Sequence, residues 1–421
     1  MEEDKKTVAK NPGNGTSPSG IGELEALGVR IRHVERPANE HEAQQVLARA
    51  FKEKLTVFPC GGGTCLGAGV LPEAVDIVLD TSDMNRILAF DSMNLNVAVL
   101  GGMTIDAINA HLAGQGRGFF LPLDPPLSGR ASIGGVYAAN GSGPLRLHYG
   151  TIRDQALGVR GANASGEEIG FGGKTVKNVS GYDLTKFLIG SAGSLCLITS
   201  ISFRVYPLPD AASVCDLTIN SVGELEKFLS AVRASILVPS ALVVQRAEGG
   251  FRVLAGFEGH PEAVERENKD FLALAGQFGG TGKSFMGREA MVKELQAAVD
   301  PPAFGEKGLA LKITVPIAQG PHALAAIGKL AQEDRLSMKT ALLAGNGVIF
   351  IYADAEGDSA VRLINNAKEL SNSAEGFAAP VRLHRSLLSG WGSRTNPVLE
   401  RLVFKPVKER LDPTGVFPPI V

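Results

Sequence analysis

The sequence predicts an α+β protein of two parts, and three observations support this. The first half places glycine-rich segments directly after short predicted strands. The second half repeats the order β-α-β-β-α. The chain has 421 residues, which is long enough for two or more domains with their own cores. We predict a tail over residues 1–20, a first domain over 28–209, a second over 210–380 and a C-terminal segment over 381–421.

Composition and charge exclude several classes of partner. The net charge is −2, so no global field attracts nucleic acid or an anionic membrane. No run of about 20 apolar residues is present, and we therefore expect no transmembrane segment. The first 20 residues are polar and lack the apolar core of a signal peptide, which predicts a disordered tail and a cytoplasmic protein.

The four cysteines are Cys60, Cys65, Cys196 and Cys215. They form no CxxC pair, so their spacing provides no ligand set for an iron–sulfur cluster. A cytoplasmic chain is also expected to keep its thiols reduced. We interpret Cys60 and Cys65, which flank a glycine loop, as small buried packing residues.

The glycine loop Gly61-Gly62-Gly63-Thr64 follows a predicted strand over Leu55–Pro59. Glycines let successive backbone N–H groups converge on an anion without obstruction by Cβ atoms, as a pyrophosphate requires. No GK[ST] sequence follows, which excludes a Walker loop, and GxGxxG is absent here, which excludes a Rossmann fingerprint. A plain tight turn is the alternative.

Further elements of the first half follow from hydrophobic periodicity and turn signals. Thr104 is the expected N-cap of one helix, and the proline and glycine density over 119–150 excludes a regular helix through most of that segment. The predicted elements are strand Gly28–Arg32, helix Glu40–Lys54, strand Val75–Asp80, strand Asn96–Leu100, a helix near Thr104–Ala113, two strands joined at Ala164–Glu167, helix Leu184–Ile189 and strand Leu195–Tyr206.

The second half contains two copies of one unit. The first copy reads strand 213–219, helix 222–235, strands 241–247 and 251–257, and helix 260–278. The second reads strand 309–315, helix 320–333, strands 338–343 and 347–353, and helix 357–374. Paired ferredoxin-like units of this kind predict an antiparallel sheet backed by helices. We interpret residues 279–307 as the linker between the copies.

Three segments together resemble a known family. They are CGGGTC at 60–65, SIGGVYAANGSGP at 132–144 and KTVKNVSGYDLTKFLIGSAGSLCLI at 174–198. They resemble the PCMH-type FAD-binding domain of the vanillyl-alcohol oxidase superfamily. Within that superfamily, their sequence resembles most the flavoprotein subunits of bacterial glycolate oxidase and their D-lactate dehydrogenase relatives. The resemblance implies a two-subdomain FAD-binding domain, a cap formed by the duplicated unit, and a C-terminal segment that packs back on the FAD domain.

The resemblance also implies which residues contact FAD. No tethering histidine is seen in the glycine loop, and we interpret His148 as a packing or surface residue, so we expect the FAD to be non-covalent. The residues assigned to the cofactor are Pro59, Gly61, Gly62, Gly63, Thr64, Pro125, Ser132, Gly134, Gly135, Ala138, Asn140, Gly141, Gly143, Gly150, Gly190, Gly193 and Ile198.

Oxidation of a 2-hydroxy acid needs a group that holds the carboxylate and a base that takes the hydroxyl proton. The arginine fork suits the first role and a histidine the second. The larger flavoprotein subunits of the family carry GHxGDGNxH and EHGxG, which supply histidines and acids for a divalent metal. This chain reads ALLAGNGVIFIYAD at 341–354 and APVRLHRSLLSGWG at 379–392, so we expect no metal site.

The segment at 379–392 contains one histidine. His384 is therefore the candidate base, with Arg382, Arg385 or Arg394 as the candidate carboxylate clamp. His384 packing against its neighbours, and an arginine pair that faces solvent or an interface, are the alternatives.

The missing acid–histidine set makes the chain resemble the smaller of the two flavoprotein subunits in the glycolate oxidase complex, and not the larger one. Expected partners are a larger FAD-binding catalytic subunit, an iron–sulfur subunit and a small 2-hydroxy acid such as glycolate or D-lactate, with membrane association only through partners. Three functions stay open: a catalytic subunit, a non-catalytic FAD electron-transfer or assembly subunit, and a stand-alone flavoenzyme for a 2-hydroxy acid, another alcohol or a sugar.

Overall fold

The computed structural model describes residues 18–173, 184–303, 308–388, 391 and 400–420. Most of the predicted tail, the KTVKNVSGYD motif at 174–183, and Arg394 lie outside the described residues.

The elements are labelled in chain order. The strands are β1 Arg30–Glu35, β2 Val57–Cys60, β3 Ala74–Asp80, β4 Ile87–Asp91, β5 Asn96–Leu100, β6 Phe119–Phe120, β7 Ala156–Ala162, β8 Glu168–Gly172, β9 Leu197–Arg204, β10 Tyr206–Pro207, β11 Ala211–Ile219, β12 Ala241–Ala247, β13 Gly250–Gly259, β14 Thr281–Met286, β15 Gly308–Thr314, β16 Ser337–Leu343, β17 Val348–Asp354 and β18 Ala378–Arg382. The helices are α1 Ile21–Ala26, α2 Glu40–Glu53, α3 Ile105–Ala113, α4 Ile133–Ala139, α5 Arg146–Tyr149, α6 Ile152–Gln155, α7 Val222–Ala234, α8 Pro261–Gly276, α9 Arg288–Val299, α10 Gly320–Glu333, α11 Gly357–Ser373, α12 Arg385–Leu388 and a C-terminal helix Lys405–Leu411.

The first subdomain is a three-stranded parallel sheet in the order β1-β3-β2. Helix α2 connects β1 to β2 and begins at the N-cap Asn39, whose side chain accepts a hydrogen bond from the backbone of Glu42. Its buried face carries Ala43, Leu47 and Ala50 at helical spacing. This βαβ arrangement places the glycine loop directly after β2, at the carboxyl end of the parallel strands.

The second subdomain is a five-stranded antiparallel sheet in the order β4-β5-β9-β7-β8. Helices α3 and α4 pack against one face, where Val99, Phe203 and Tyr137 are fully buried. The predicted N-cap Thr104 is confirmed, since its hydroxyl accepts a hydrogen bond from Ala107 N at 3.3 Å.

The predicted strands and helices of the first half need three corrections. A short helix, α4, forms inside the glycine-rich segment. Gly134 of this helix lies against the backbone of Gly101, where an added Cβ would come within 2.9 Å of the Gly101 carbonyl oxygen. The predicted helix Leu184–Ile189 is a 3₁₀ turn over Leu184–Lys186. The predicted strand Leu195–Tyr206 divides into β9 and β10, and β10 pairs with β6 outside the five-stranded sheet.

The second half forms one eight-stranded antiparallel sheet in the order β14-β11-β13-β12-β16-β17-β15-β18. Each half of this order is the ferredoxin-like pattern, and the two copies meet where β12 pairs with β16. The predicted paired ferredoxin-like units are confirmed.

The interpretation of residues 279–307 as a linker is wrong for most of its length. Residues of this segment form the edge strand β14 and helix α9. Strand β14 reads TGKSFM and is exposed along most of its length, so it lacks the alternation that marks a half-buried strand.

The C-terminal segment packs back on the first domain. Val57 N donates to Val416 O at 2.7 Å, and Lys408 Nζ donates to Ser194 O at 2.7 Å. In the described residues, no helix is long and apolar enough to cross a bilayer.

Candidate cofactor and substrate site

A cleft between the two subdomains of the first half contains the glycine loop. Its space, including the part that is open to solvent, amounts to about 750 Å³. One wall is the loop from Gly61 to Leu66, and the facing walls come from Ser132–Ala139 and from Ala192–Ile198. Sequence segments that are far apart in the chain therefore meet at one cleft.

The loop presents unsatisfied backbone donors to this cleft. Within the described part of the chain, the N–H groups of Gly62, Gly63 and Thr64 have no hydrogen-bond partner. Successive free N–H groups in a loop form a concave binding site for an anion. This arrangement fits the pyrophosphate of a dinucleotide.

Three glycines shape the cleft, each for a different reason. A Cβ on Gly62 would come within 1.6 Å of Arg130 O, so this loop can approach the opposite wall only as glycine. Gly63 has φ +70°, which favours glycine for conformational reasons. A Cβ on Gly193 would lie at least 3.7 Å from any neighbour, so this position leaves open space beside the cleft. The residues present thus fit a bound dinucleotide.

Two cysteines of the cleft are chemically quiet. Burial raises the pKa of the Cys60 thiol to about 12, and burial raises the pKa of the Cys196 thiol to about 12 as well. Both therefore stay neutral and cannot act as nucleophiles at ordinary pH. Cys65 differs from the prediction that it is buried, because it is half-exposed and lines the cleft. All four cysteines are free thiols.

A second cavity adjoins the cleft and lies between the first domain and the cap. Its volume is about 480 Å³, and Cys65, Ala68 and Ala139 line both spaces. Its remaining walls come from Phe187–Leu195, from the cap strands β15 and β18, and from the C-terminal helix region.

Among the described residues that line this cavity, the charged side chain is that of Lys312 in β15. It is the only ionisable group apart from the Cys65 thiol among the described residues that line the cavity. Its ammonium group has no hydrogen bond or ion pair with any described residue. Burial lowers the pKa of Lys312, and the nearby Arg146 guanidinium lowers it further, while the Cys65 thiol acts in the opposite sense. A buried cation without a counter-charge is costly unless an anion pairs with it.

Arg146 is also incompletely satisfied. Its Nε is buried without a hydrogen-bond partner among the described residues, although its Nη1 donates to Ser142 Oγ at 3.0 Å. Burial lowers the pKa of this guanidinium too. The boundary between the domains therefore holds two neighbouring cations that a bound anion would stabilise.

The structure brings most of the predicted cofactor residues together. Asn140 and Gly190 line the second cavity. The predicted residues that line the cleft are Pro59, Gly61, Gly62, Gly63, Thr64, Ser132, Gly134, Gly135, Ala138, Gly193 and Ile198.

Four predicted cofactor residues lie outside both spaces. Pro125 is buried, and its carbonyl accepts a hydrogen bond from Gln296 of the cap. Gly143 lies against the backbone of Asp124, and Gly141 packs on Val136. Gly150 has φ +82° and ends helix α5. These residues shape the loops around the site.

The candidate catalytic residues lie outside both spaces, and their role stays a prediction. Arg382 Nε pairs with Glu23 Oε2 at 3.1 Å. His384 is exposed and bonds to Ser386 Oγ at 2.8 Å through Nδ1. Arg385 lies 3.7 Å from Glu73. None of the three lines the cleft or the second cavity, because β18 directs Arg382 towards α1 and the chain then continues beside Leu27, where Arg385 N donates to Leu27 O at 3.1 Å.

Sequence reasoning missed Lys312. Its signal was present, since it is the one charge in the otherwise apolar strand GLALKIT. The described residues contain no cluster of three or more histidine, cysteine or acidic residues able to hold a metal ion. His148 is exposed and packs edge-on against Tyr149.

The fold and the cleft define an FAD-binding domain. Residues 31–172 match the family described as FAD binding domain, which confirms the predicted FAD cofactor. A solved structure of a glucooligosaccharide oxidase from Acremonium strictum, described with 6-S-cysteinyl, 8α-N1-histidyl FAD, superposes with a TM-score of 0.73 at 13% identity, over 98% of this chain and 96% of that one. At that identity the likeness shows the fold alone.

The chain is also similar to flavoprotein subunits and dehydrogenases of known sequence. It is 32% identical over 207 residues to the glycolate oxidase subunit GlcD of Bacillus subtilis (strain 168), covering 49% of this chain and 43% of that protein. It is 38% identical over 177 residues to a D-lactate dehydrogenase of Archaeoglobus fulgidus, covering 41% of this chain and 38% of that protein. The matched regions span less than half the length of these curated relatives.

Proposed function

We propose that the chain is an FAD-dependent oxidoreductase subunit that oxidises a 2-hydroxy acid to the 2-oxo acid. The observation that supports this proposal most directly is that the cofactor cleft adjoins the second cavity. The cleft with free N–H groups at Gly62–Thr64 opens into a cavity whose charge is the unpaired Lys312. The similarity to GlcD and to a D-lactate dehydrogenase supports the same chemistry.

The glycine loop would hold the pyrophosphate of FAD, with Ser132, Gly135 and Gly193 on the facing walls. We propose non-covalent binding, because no histidine lines the cleft in the described residues. Acid precipitation tests this directly: the yellow colour should stay in the supernatant, and colour in the protein pellet would contradict it.

When bound, FAD would accept two electrons from the substrate carbon. Lys312 would pair with the substrate carboxylate and so fix the position of the adjacent carbon that bears the hydroxyl. The apolar side chains around Lys312 leave it with few polar neighbours, which strengthens this pairing.

A second candidate function rests on a specific observation. The described residues that line the cavity include no histidine and no carboxylate, so they offer no ordinary base for the hydroxyl proton. This favours an FAD-bearing electron-transfer or assembly subunit. In that case a larger FAD-binding partner oxidises the 2-hydroxy acid, and an iron–sulfur partner carries electrons onward, as in a glycolate oxidase complex in which this chain is the smaller flavoprotein.

Dye-coupled turnover of the purified chain with D-lactate separates the two candidates. Turnover that Lys312→Met removes while the FAD content stays constant supports catalysis by this chain. FAD that is reduced only after a larger flavoprotein partner is added supports the second function.

A further inference from the structure

The second cavity is larger than a two- or three-carbon acid requires. Its volume of about 480 Å³ lies within the range of roughly 300–1,000 Å³ that is common for pockets that bind drug-sized ligands. Its walls are largely apolar and include Leu195, Phe377, Val381, Phe404, Val407 and Ile420. Glycolate has no apolar group for such walls to contact.

The distribution of charge restricts the ligand further. Lys312 is the only charged side chain among the described lining residues, so the cavity offers a partner for one anionic group. A second carboxylate would be placed against apolar side chains without a counter-charge, which is unfavourable. The cavity therefore favours a monoanion whose remaining atoms are apolar.

Three of the large apolar side chains around this cavity are partly exposed to solvent. Phe187 of the first domain is 40% exposed, Phe377 of the cap 48% and Val403 of the C-terminal segment 42%. All three line the same cavity, although they come from three separate parts of the chain. An exposed apolar patch of this kind marks a surface that is covered by a ligand or a partner.

We propose, building on the proposed function, that the substrate is a 2-hydroxy acid with a bulky apolar tail, either a medium-length alkyl chain or an aromatic ring. Its carboxylate pairs with Lys312, and its tail lies against the apolar walls that include Phe377 and Val403. The tail supplies binding energy that glycolate and lactate lack.

The first test is a chain-length series on the FAD-loaded protein. Anaerobic flavin reduction is followed with glycolate, D-lactate, D-2-hydroxyhexanoate and D-phenyllactate. Each buried methylene contributes about 0.8 kcal/mol, or about fourfold, so kcat/KM for 2-hydroxyhexanoate should exceed that for lactate about 60-fold over three methylenes. Equal values for glycolate, lactate and the longer acids would keep the proposed function and overturn this inference.

A substitution in the cavity wall provides a second test. Val403→Asp should reduce the ratio of kcat/KM for hydroxyhexanoate to that for lactate at least tenfold, because the tail then meets a charge. Val361→Asp is the matched control, since Val361 is 45% exposed on α11 and does not line the cavity. A ratio unchanged in Val403→Asp, with altered assembly with a partner subunit instead, would show that the patch is a protein interface and would overturn the inference.

Binding of unreactive acids separates this inference from the proposed function. Calorimetry compares acetate with hexanoate on the FAD-loaded protein and on its Lys312→Met variant. Hexanoate should bind at least tenfold more tightly than acetate, and Lys312→Met should remove that binding. This result would uphold the apolar monoanion site even if no hydroxy acid reduced the flavin, in which case only the proposed oxidation would fail. Equal affinity for the two acids, or hexanoate binding that survives Lys312→Met, would overturn the inference.

Discussion

At the residue scale, three consecutive backbone N–H groups carry the cofactor site. Those of Gly62, Gly63 and Thr64 are directed by a loop whose glycines are required by close contacts and by a positive φ angle. Side chains in this loop have little influence on the fold, so charge can be changed there without disturbing the core.

Thr64→Glu should therefore purify with little or no FAD, because a carboxylate would be placed beside the diphosphate. Thr64→Gln has nearly the same shape without the charge and should keep most of the flavin. The measurement is the ratio of flavin absorbance to protein absorbance after gel filtration. Equal FAD content in the two variants would show that the pyrophosphate lies elsewhere.

Lys312 predicts a pH dependence whose sign follows from its burial. Burial lowers the pKa of this ammonium group in the folded protein. An anionic ligand requires the charged form, so binding is present below this lowered pKa and is lost as the pH rises through it. Hexanoate affinity should fall at a pH below the range around 10.4 in which an exposed lysine titrates.

Lys312→Arg is the matched variant, since a guanidinium keeps its charge throughout this range. Calorimetry at a series of pH values should show a falling affinity for the wild type and a flat profile for the variant. A flat wild-type profile up to the titration range of an exposed lysine would contradict the role of Lys312.

The residue scale also shows why the candidate catalytic residues lie apart from the two spaces. Arg382 and His384 stand at a family landmark, but the sequence does not show the direction in which a side chain points. Arg382 pairs with Glu23, a residue that is 359 positions away. Lys312 could have been singled out as a charge within an apolar strand, but its lack of a partner depends on tertiary packing.

At the element scale, the C-terminal helix is fixed by one buried ion pair. Lys408 is 14% exposed and Asp412 is fully buried, and their charged atoms lie 2.6 Å apart. Lys408 also donates to Ser194 O, in the turn beside Gly193, while Asp412 accepts from Val416 N at 2.7 Å. The pair thus connects the C-terminal helix to a wall of the cofactor cleft.

Lys408→Met should lower the free energy of unfolding by about 3 kcal/mol, because it leaves a buried carboxylate without its partner. FAD content should fall as well, since the turn at Ser194 loses its support. The control is Lys405→Met in the same helix, whose 4.0 Å pair with Glu409 is largely exposed and should contribute less than about 1 kcal/mol. Urea unfolding measures both; similar losses in the two variants would contradict this role.

The sequence predicted the cap elements to within a few residues because their apolar periods are regular. Helix α10 and strand β12 match the predicted bounds. Strand β14 was missed because it is an exposed edge. Helix α4 was missed because two of its residues are glycines, and one of them, Gly134, is required by its contact with Gly101 beyond the end of β5. A period in the apolar residues shows that one face of a helix or strand is buried. Close contacts between backbone atoms produce no such period in the sequence.

At the scale of the whole molecule, the loop at Pro125–Leu127 makes one of the contacts that attach the cap to the FAD-binding domain. Leu127 N donates to Asp300 Oδ1 at 2.6 Å, and Gln296 Nε2 donates to Pro125 O at 3.1 Å. Leu127 has φ +59°, a conformation that a leucine keeps only when its surroundings hold it. The contact therefore fixes the cap over the cavity.

Asp300→Ala should destabilise the protein by about 1–3 kcal/mol, because it leaves the Leu127 N–H without its acceptor. Binding of hexanoate should weaken in parallel, as the cavity loses one fixed wall. Lys293→Ala lies on the exposed face of the same helix, α9, and should change neither quantity. Thermal unfolding and calorimetry provide the measurements, and an unchanged melting temperature for Asp300→Ala would contradict this attachment.

The most direct test of the central claim measures FAD content and anaerobic flavin bleaching in the same preparation. Wild-type chain and Lys312→Met are mixed with D-2-hydroxyhexanoate under anaerobic conditions, and flavin absorbance is followed. We predict equal FAD content in the two proteins, bleaching of the wild type and an oxidised spectrum for the variant. Bleaching at the same rate in both proteins would contradict the assignment of Lys312, and a chain that takes up no FAD would contradict the cofactor site itself.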